Sequence, residues 1–407
     1  MRMDPRLFDF TNHKWLWKFL PEDVAEKLAT QASADELLCV KATETRAVYR
    51  FENLFIKVCA SYKLKDQLRP AARCEYKSYC QLAEHDIPCV KHLGWGRYGH
   101  YTALVTEAWT NDAVDALNYW SQLVYNVSDT TDFLNELSVF LQQIVNSPLK
   151  HGDFHLGNIL YSPSEKSFAL VDLHNVTIGK EHTISEKADM LQILAELRSS
   201  LRPQQMVEMF WKIGHIDAYT AAETIRRKLI HDTERLQKNW PRRVKQFLNG
   251  YAKFSDFVSF EGNVLLVKRD KMRRNIFDPA AARRGEYRTV RLSFPAALEQ
   301  MLFSFYLSEL QVPHIPVAAL APNGTLYYVQ APKFDQEPQD REWVNSYNEY
   351  LLCMGLHLED YHQWRHCSNS QLLLVDFNSM LNAMPHRERR FRPQNINPQR
   401  WKVKKPL

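Results

Sequence analysis

Between His151 and Leu160 the chain reads HGDFHLGNIL, and after a short polar turn it continues FALVDLHN. Two histidines, an aspartate and an asparagine crowd the mouth of an apolar strand, and a second strand ends on Asp172 and His174. A carboxylate among apolar residues is costly unless a cation or a donor stands beside it. If residues 159–161 and 168–171 pair across the turn SPSEK, then Asp153 and Asn158 precede the first strand and Asp172 ends the second, at one spot. Two carboxylates and an amide oxygen are hard ligands that suit magnesium, which keeps waters and takes one or two carboxylates with substrate phosphates. A carboxylate just off such a metal orients and deprotonates an attacking hydroxyl. Phosphoryl transfer needs this set, because its catalysis is mainly positioning and charge neutralisation.

Two other readings stand beside it. His151, Asp153 and His155 alternate as HxDxH, a spacing for zinc or iron in a metallohydrolase, with His174 the one further candidate nearby. Turn and capping residues of these types also cluster without any chemistry.

Phosphoryl transfer asks for more upstream: a lysine on a central strand for the nucleotide phosphates, and a helix carboxylate to hold it. Lys57 in FIKV and Glu75 in CEYKSYCQL meet that description. Neither is specific alone; their order, ahead of the loop and Asp172, makes them a set. The elements needed to position them are legible. Residues 36–60 read as short strands with polar turns. AARCEYKSYCQLAEHDIP reads as a helix, with Cys74, Tyr79, Leu82 and Ala83 at helical spacing and a stop before Pro88. KHLGWGRYGHYTALVTEAW reads as two strands around a turn containing Gly94, Gly96 and Gly99. TDFLNELSVFLQQIV places Phe133, Leu134, Leu137, Phe140, Leu141 and Ile144 on one helix face, just before the loop. From 181 to 248 the pattern is helical and basic, with Arg226, Arg227, Lys228, Arg235, Lys238, Arg242, Arg243 and Lys245. Such a run is a solvated face or a surface for phosphorylated or membrane-borne acceptors.

A chain of 407 residues has material for two or three domains, and 45% hydrophobic with 24% charged residues is the ordinary globular balance. A net charge of +5 permits an anionic partner without demanding one. Seven scattered cysteines, with no CxxC pair, point to a reduced cytoplasm. No apolar run approaches the roughly 18 residues that span a bilayer, and MRMDPRLFDFTNHKW lacks a signal-peptide core. A soluble, cytoplasmic protein is expected.

The chain also repeats itself. QLAEHDIPCVKHLGWGRYGHYTALV lies without a gap on YLSELQVPHIPVAALAPNGTLYYVQ, so that Leu82 falls on Leu307, Glu84 on Glu309, Pro88 on Pro313 and Gly99 on Gly324. Lys57 comes near Lys268, Glu75 falls on Gln300 beside Glu299, and Asp360 and Asp376 fall on the two aspartates, while Arg365 replaces Asn158. An internal duplication with a decayed second copy is expected.

HGDFHLGNIL followed by VDLHN resembles the protein-kinase-like superfamily, and within it the bacterial lipopolysaccharide kinases of core heptose or Kdo. The HGDxHxxN pattern is shared with aminoglycoside and choline phosphotransferases. Leu173-His174 after the metal aspartate, and ARCEYKSYCQLAEHDIPCVKHLGWG, are similar to the lipopolysaccharide kinases in particular. The resemblance covers roughly residues 36–245. It implies an α+β, two-lobed protein-kinase-like fold, with an N-lobe over 1–110, a C-lobe with the catalytic loop over 111–250, and a truncated pseudokinase-like domain over 251–407. By the same resemblance Lys57 pairs with phosphate, Glu75 holds it, Asp153 is the catalytic base, and Asn158 and Asp172 bind magnesium, with ATP as the phosphate donor. The implied acceptor is a lipopolysaccharide core sugar or another phosphorylated glycan, met by peripheral contact at the cytoplasmic face of the inner membrane; no nucleic acid is expected. The alternatives are a kinase of this fold acting on another small molecule or a protein, and a non-catalytic scaffold. One departure stands out. KATETRAVYRF, where a glycine-rich phosphate loop would lie, has no glycine, leaving Ala42, Thr43 and Thr45 as its small residues. The basic tail HRERRFRPQNINPQRWKVKKPL favours an anionic surface or is a solvated terminus.

Overall fold

The computed structural model describes residues 8–43, 45–62, 67–125, 130–199, 201–251, 253–270, 274–330, 334–336, 341–356, 364–367 and 372–374. The chain forms two compact units, residues 1–119 with 131–193, and residues 120–130 with 194–407. Asp360, Asp376 and the basic tail lie outside the described residues.

In the first unit β1 (Leu16–Lys18), α1 (Glu22–Gln31), β2 (Leu38–Ala42), β3 (Arg46–Phe51) and β4 (Leu54–Ala60) lead to α2 (Ala71–Ala83), followed by β5 (His92–Tyr98) and β6 (Tyr101–Glu107). The strands make one six-stranded antiparallel sheet in the order β1-β5-β6-β4-β3-β2. Alternation decides its faces. Tyr49, Phe51, Leu54, Ile56 and Val58 point to a core shared with Phe8, Phe10, Leu28, Ala103 and Val105. On the other face Lys57 stands opposite Val48 and Leu104, and Arg46 opposite Cys59. A one-residue slip would drive Lys57 into that core and expel Ile56, so burial fixes the register that presents the lysine.

The helix expected from CEYKSYCQL is α2. It starts after Pro70 and ends at Glu84, with Asp86 in the left-handed region (φ 51°) and the Ile87 amide donating to Leu82 O at 3.3 Å. Ala72, Glu75, Ser78 and Leu82 form its buried stripe, so a carboxylate is carried inward by helical spacing. Of the three glycines placed at the β5–β6 turn, only Gly99 lies there, at φ +54°. Gly94 and Gly96 sit inside β5 for a different reason. A Cβ on Gly94 would come within 2.4 Å of the Leu20 backbone nitrogen, and one on Gly96 within 2.3 Å of the Trp17 ring. These positions let β1 and the residues after it close over the sheet.

Beyond β7 (Val114–Asp115) and α3 (Ala116–Tyr125), α4 (Thr131–Asn146) buries Phe133, Leu137, Phe140, Leu141 and Ile144. It runs into β8 (Leu149–His151), the loop, β9 (Ile159–Ser162), β10 (Ser167–Leu170), β11 (Val176–Ile178) and α5 (Ile184–Leu191). The expected hairpin is β9–β10, with Ile159 opposite Leu170 and Ser162 opposite Ser167.

The second unit holds α6 (Pro203–Gly214), the basic α7 (Ala218–Leu248), β12 (Ser255–Phe260), β13 (Asn263–Lys268), α8 (Pro279–Arg283), β14 (Tyr287–Arg291), α9 (Phe294–Glu309), β15 (Val317–Leu320) and β16 (Thr325–Val329). After these come β17 (Phe334–Gln336), α10 (Arg341–Cys353), β18 (Trp364–Cys367) and β19 (Leu372–Leu374). Helices α6 and α7 belong here because α7 packs its Trp240 and Phe247 on Tyr306 and Phe305 of α9, at ring distances of 4.9 and 4.5 Å. Buried Arg198 adds to the join, donating from Nε to Leu310 O at 2.9 Å and from Nη1 to Ala195 O at 2.7 Å. The division between the units thus falls between residues 193 and 194 on this side of the chain.

The repeated segments do share an element order, a helix, a proline and a hairpin turning at Gly324 (φ +83°) as the other turns at Gly99. The sheets are assembled differently. In the first unit the second hairpin strand, β6, lies beside the lysine strand, whereas in the second unit β15, the first, lies beside β13. The outer edge of β16 is taken by β14, which precedes the helix.

Candidate active site

The site is assembled on the face of the first sheet opposite that core, the face on which α2 packs and Leu104 and Cys59 are buried. Lys57 Nζ donates to Glu75 Oε2 at 2.8 Å and to Asp172 Oδ1 at 2.5 Å. The strand, the helix and the turn after β10 therefore meet at one ammonium, as the sequence set required. Glu75 has a side chain only 4% exposed, so its position is fixed by burial as well as by charge. Beneath it His92 donates from Nδ1 to Val90 O at 2.8 Å and turns Nε2 toward Glu75 Oε1 at 3.9 Å, and Tyr79 stacks on its ring. Sequence reasoning passed over His92; its one signal was a polar residue entering an otherwise apolar strand.

The charges reinforce one another. Burial alone would push Glu75 up, but His92 and the Lys57 ammonium hold it below the ordinary carboxylate range. Burial would lower Lys57, yet Glu75 and Asp172 outweigh it and raise its pKa. Asp172 is likewise drawn down, against its own desolvation, to about 2 by Lys57 and His174. All three are charged at neutral pH, an ion triad whose members repay one another's desolvation.

Asp172 itself is held in the left-handed conformation, φ 59° and ψ 54°, a strained backbone for a residue with a Cβ. The loop that carries Asp153 is pinned to this turn at both ends. Gly152 N donates to Asn175 O at 2.9 Å, and Val171 N to Asn158 O at 3.0 Å. Asn158 Nδ2 donates to Asp153 O at 2.9 Å, which leaves the amide's Oδ1 as an acceptor that could meet a cation. Asp153 has a side chain 59% exposed, within reach of an acceptor, with His155 Nε2 at 3.7 Å from its Oδ2.

The zinc or iron reading finds no support in this geometry. His151 Nδ1 accepts from the Asp153 amide at 3.2 Å and His155 Nδ1 from the Gly157 amide at 3.0 Å, so the Nδ1 atom of each ring shapes the loop. Among the described residues no three His, Cys, Asp or Glu side chains converge as a metal site. The donor set that does fit a cation is one carboxylate oxygen of Asp172 and the Asn158 amide oxygen, hard ligands of the kind magnesium takes. The phosphate-loop segment is a closed hairpin turn. Thr43 N donates to Arg46 O at 2.7 Å and Arg46 N to Thr43 Oγ1 at 3.1 Å, so those amides are occupied within the turn.

In the second unit the aligned lysine, Lys268, ends β13, whereas Lys57 lies mid-strand in β4, and the partner of Lys268 is the Ser308 hydroxyl. Gln300, aligned with Glu75, instead accepts from Tyr328 Oη at 2.6 Å. The repeat retains the lysine and has lost the carboxylate that would hold it.

An antiparallel sheet with a lysine strand, a helix carboxylate paired to it, a pinned loop and a final aspartate make up an α+β unit, the fold class expected. No family model matches the chain, and no curated protein matches it. Among solved structures it is similar to WaaP in complex with acyl carrier protein, at 15% identity over 57% of this chain and 98% of that one, with a TM-score of 0.37. It is similar to the bifunctional kinase-methyltransferase WbdD at 12% identity, covering 46% of this chain and 42% of that one, with a TM-score of 0.33. A third is the aminoglycoside phosphotransferase APH(3'')-Id from Streptomyces rimosus, at 16% identity over 46% of this chain and 92% of that one, with a TM-score of 0.29. Likenesses of this size leave the chemistry to be read from the side chains.

Proposed function

We propose that this chain is an ATP-dependent kinase that phosphorylates a sugar hydroxyl of the lipopolysaccharide inner core, on heptose or Kdo. The observation that carries the kinase reading is Lys57 bridging Glu75 and Asp172, with the exposed Asp153 on a loop pinned to the same turn. Asp153 accepts the proton of the acceptor hydroxyl as its oxygen bonds to the γ-phosphorus of ATP. The bond from that phosphorus to the β-phosphate oxygen breaks, ADP leaves, and the proton passes to solvent. Lys57, released from Asp172, meets the nucleotide phosphates while Glu75 keeps it in place. Magnesium, held by Asn158 and Asp172, would supply charge neutralisation on those phosphates.

The choice of acceptor rests on the Leu173-His174 motif and on charge. Arg226, Arg227, Arg235, Lys238, Arg242 and Lys245 of α7 are all exposed, and only Glu223 and Glu234 counter them between 223 and 245 on the exposed face. Such a face suits a phosphorylated glycan at the cytoplasmic side of the inner membrane. Among the described residues no helix is long and apolar enough to cross a membrane, so this contact would be peripheral. Residues 251–407 are read as a pseudokinase-like domain, supported by the hydroxyl partner of Lys268.

A scaffold without activity is the second reading, favoured by the closed, glycine-free turn at Thr43–Arg46. The experiment that separates them is transfer of labelled γ-phosphate from Mg-ATP to purified lipopolysaccharide core, with wild type beside Asp153→Ala. Label with wild type alone supports the kinase and its acceptor. No label while Mg-ATP still binds rejects the acceptor, and no binding at all leaves the scaffold.

A further inference from the structure

Asp172 is gripped by a second residue besides Lys57. His174 Nδ1 lies 2.8 Å from Asp172 Oδ1, and Asn175 Nδ2 lies 2.9 Å from His174 Nε2. One neutral tautomer satisfies both contacts, with Nδ1–H donating to the carboxylate and Nε2 accepting from the amide. Asn175 is itself anchored, since its carbonyl accepts from Gly152 N at 2.9 Å, and the intervening Leu173 is fully buried. A relay therefore runs from the catalytic loop through Asn175 and His174 to Oδ1 of Asp172.

Both donors use the same oxygen. Lys57 and His174 load Oδ1, which leaves the lone pairs of Oδ2 unclaimed by either. We propose that His174 is a positioning residue for magnesium binding: it holds Asp172 by Oδ1, so that Oδ2 stays presented to the cation when Lys57 moves onto the nucleotide phosphates. This rests on the kinase reading, in which Asp172 is a metal ligand. Without His174 the departure of Lys57 would leave a carboxylate in a strained turn with no side-chain donor to fix its rotation. Outer ligands of this kind change metal affinity by about 10- to 100-fold when removed.

The test is calorimetric binding of ADP to the full chain, with excess magnesium and with EDTA, for wild type and for His174→Asn, His174→Gln and His174→Ala. Asparagine keeps a donor at the Nδ1 position, whereas glutamine moves it to the Nε2 position. Wild type and His174→Asn are expected to show the same gain in ADP affinity on adding magnesium. His174→Gln and His174→Ala should lose about tenfold or more of that gain, with magnesium-free affinity unchanged and every variant folded at the temperature of the titration. A full magnesium gain in His174→Gln would overturn the proposal while leaving the kinase reading intact, as would its equal loss in all three variants. Magnesium-independent ADP binding by wild type itself would overturn both.

Discussion

Lys57 Nζ and Asp172 Oδ1 stand 2.5 Å apart although 115 positions separate them in the chain. One comes from the middle strand of a sheet whose opposite face is a hydrophobic core, the other from a turn that follows a hairpin. Without Asp172 the lysine would still have Glu75; without Lys57 a buried glutamate would lose its main compensating charge. The three groups are therefore unequal. Glu75→Ala should destabilise less than Lys57→Ala, because it removes the buried carboxylate and leaves Lys57 paired with Asp172, whereas Lys57→Ala strands Glu75 without its cation.

Asp153→Ala should lower turnover by about 100-fold or more, the usual contribution of a positioned base. Its side chain is 59% exposed and its hydrogen bonds to the loop are made by the backbone, so the melting temperature should stay where it is. Single-turnover assays with the purified variant, alongside ADP affinity, read this directly. Retained turnover would remove Asp153 from the mechanism.

The triad also sets a pH window. Asp172 is drawn down to about 2, well below the ordinary carboxylate value near 4, so its ion pairing adds stability that is present above about pH 4 and lost as pH falls toward 2. Lys57 is raised, so its share is present below its ordinary pKa of about 10 and is lost only above that. Urea midpoints of wild type should fall more steeply between about pH 4 and 2 than those of Asp172→Asn. Parallel curves for the two proteins would mean the pair adds nothing to stability.

Arg46 offers a test of how phosphate is met without glycines. It stands opposite Cys59, two residues along the same sheet face from Lys57, while the turn before it is closed by bonds between Thr43 and Arg46. A guanidinium is expected to supply the charge that loop amides do not. Arg46→Ala should weaken binding of Mg-ATP about tenfold and leave AMP binding unchanged. Equal weakening of both nucleotides would place Arg46 on the base or ribose side instead.

The candidate set was legible because its members are short-range motifs: HGDFHLGN and DLHN carry their own turn geometry, and Lys57 and Glu75 each sit where the local period of a strand or a helix puts them. Strand order was not legible. Whether β5 or β6 neighbours the lysine strand depends on which edge a third strand occupies, and β14 does this in the second unit from a position before the helix. The roles of Gly94 and Gly96 were hidden for a similar reason, since Trp17 of β1 and Leu20 just after it press on them from about 75 residues away in sequence, a separation no local pattern encodes. His174 was visible as a metal-ligand candidate and as part of a motif, but its hold on Asp172 was not, because that contact depends on the left-handed conformation of Asp172.

The second unit carries a prediction of its own. Lys268 is buried, and that burial pushes it down to about 7, with the Ser308 hydroxyl as its side-chain contact. The neighbouring His314 is buried too; desolvation and the Lys268 charge hold it near 3, so it is neutral and cannot offset an ammonium. An unfolded lysine titrates near 10, so folding releases a proton between about pH 7 and 10. The penalty is greatest below pH 7 and fades as pH rises toward 10. Replacing the lysine by an apolar chain of similar length removes that penalty, and Ser308 still donates to Ser304 O at 2.9 Å. Lys268→Met should therefore raise unfolding stability by about 2 kcal/mol or more at pH 6, with the advantage shrinking by pH 10. Urea denaturation at the two pH values decides it. A constant difference would show that packing is responsible, and a loss at both would mean Lys268 has a partner in solution that its contacts within the fold do not supply.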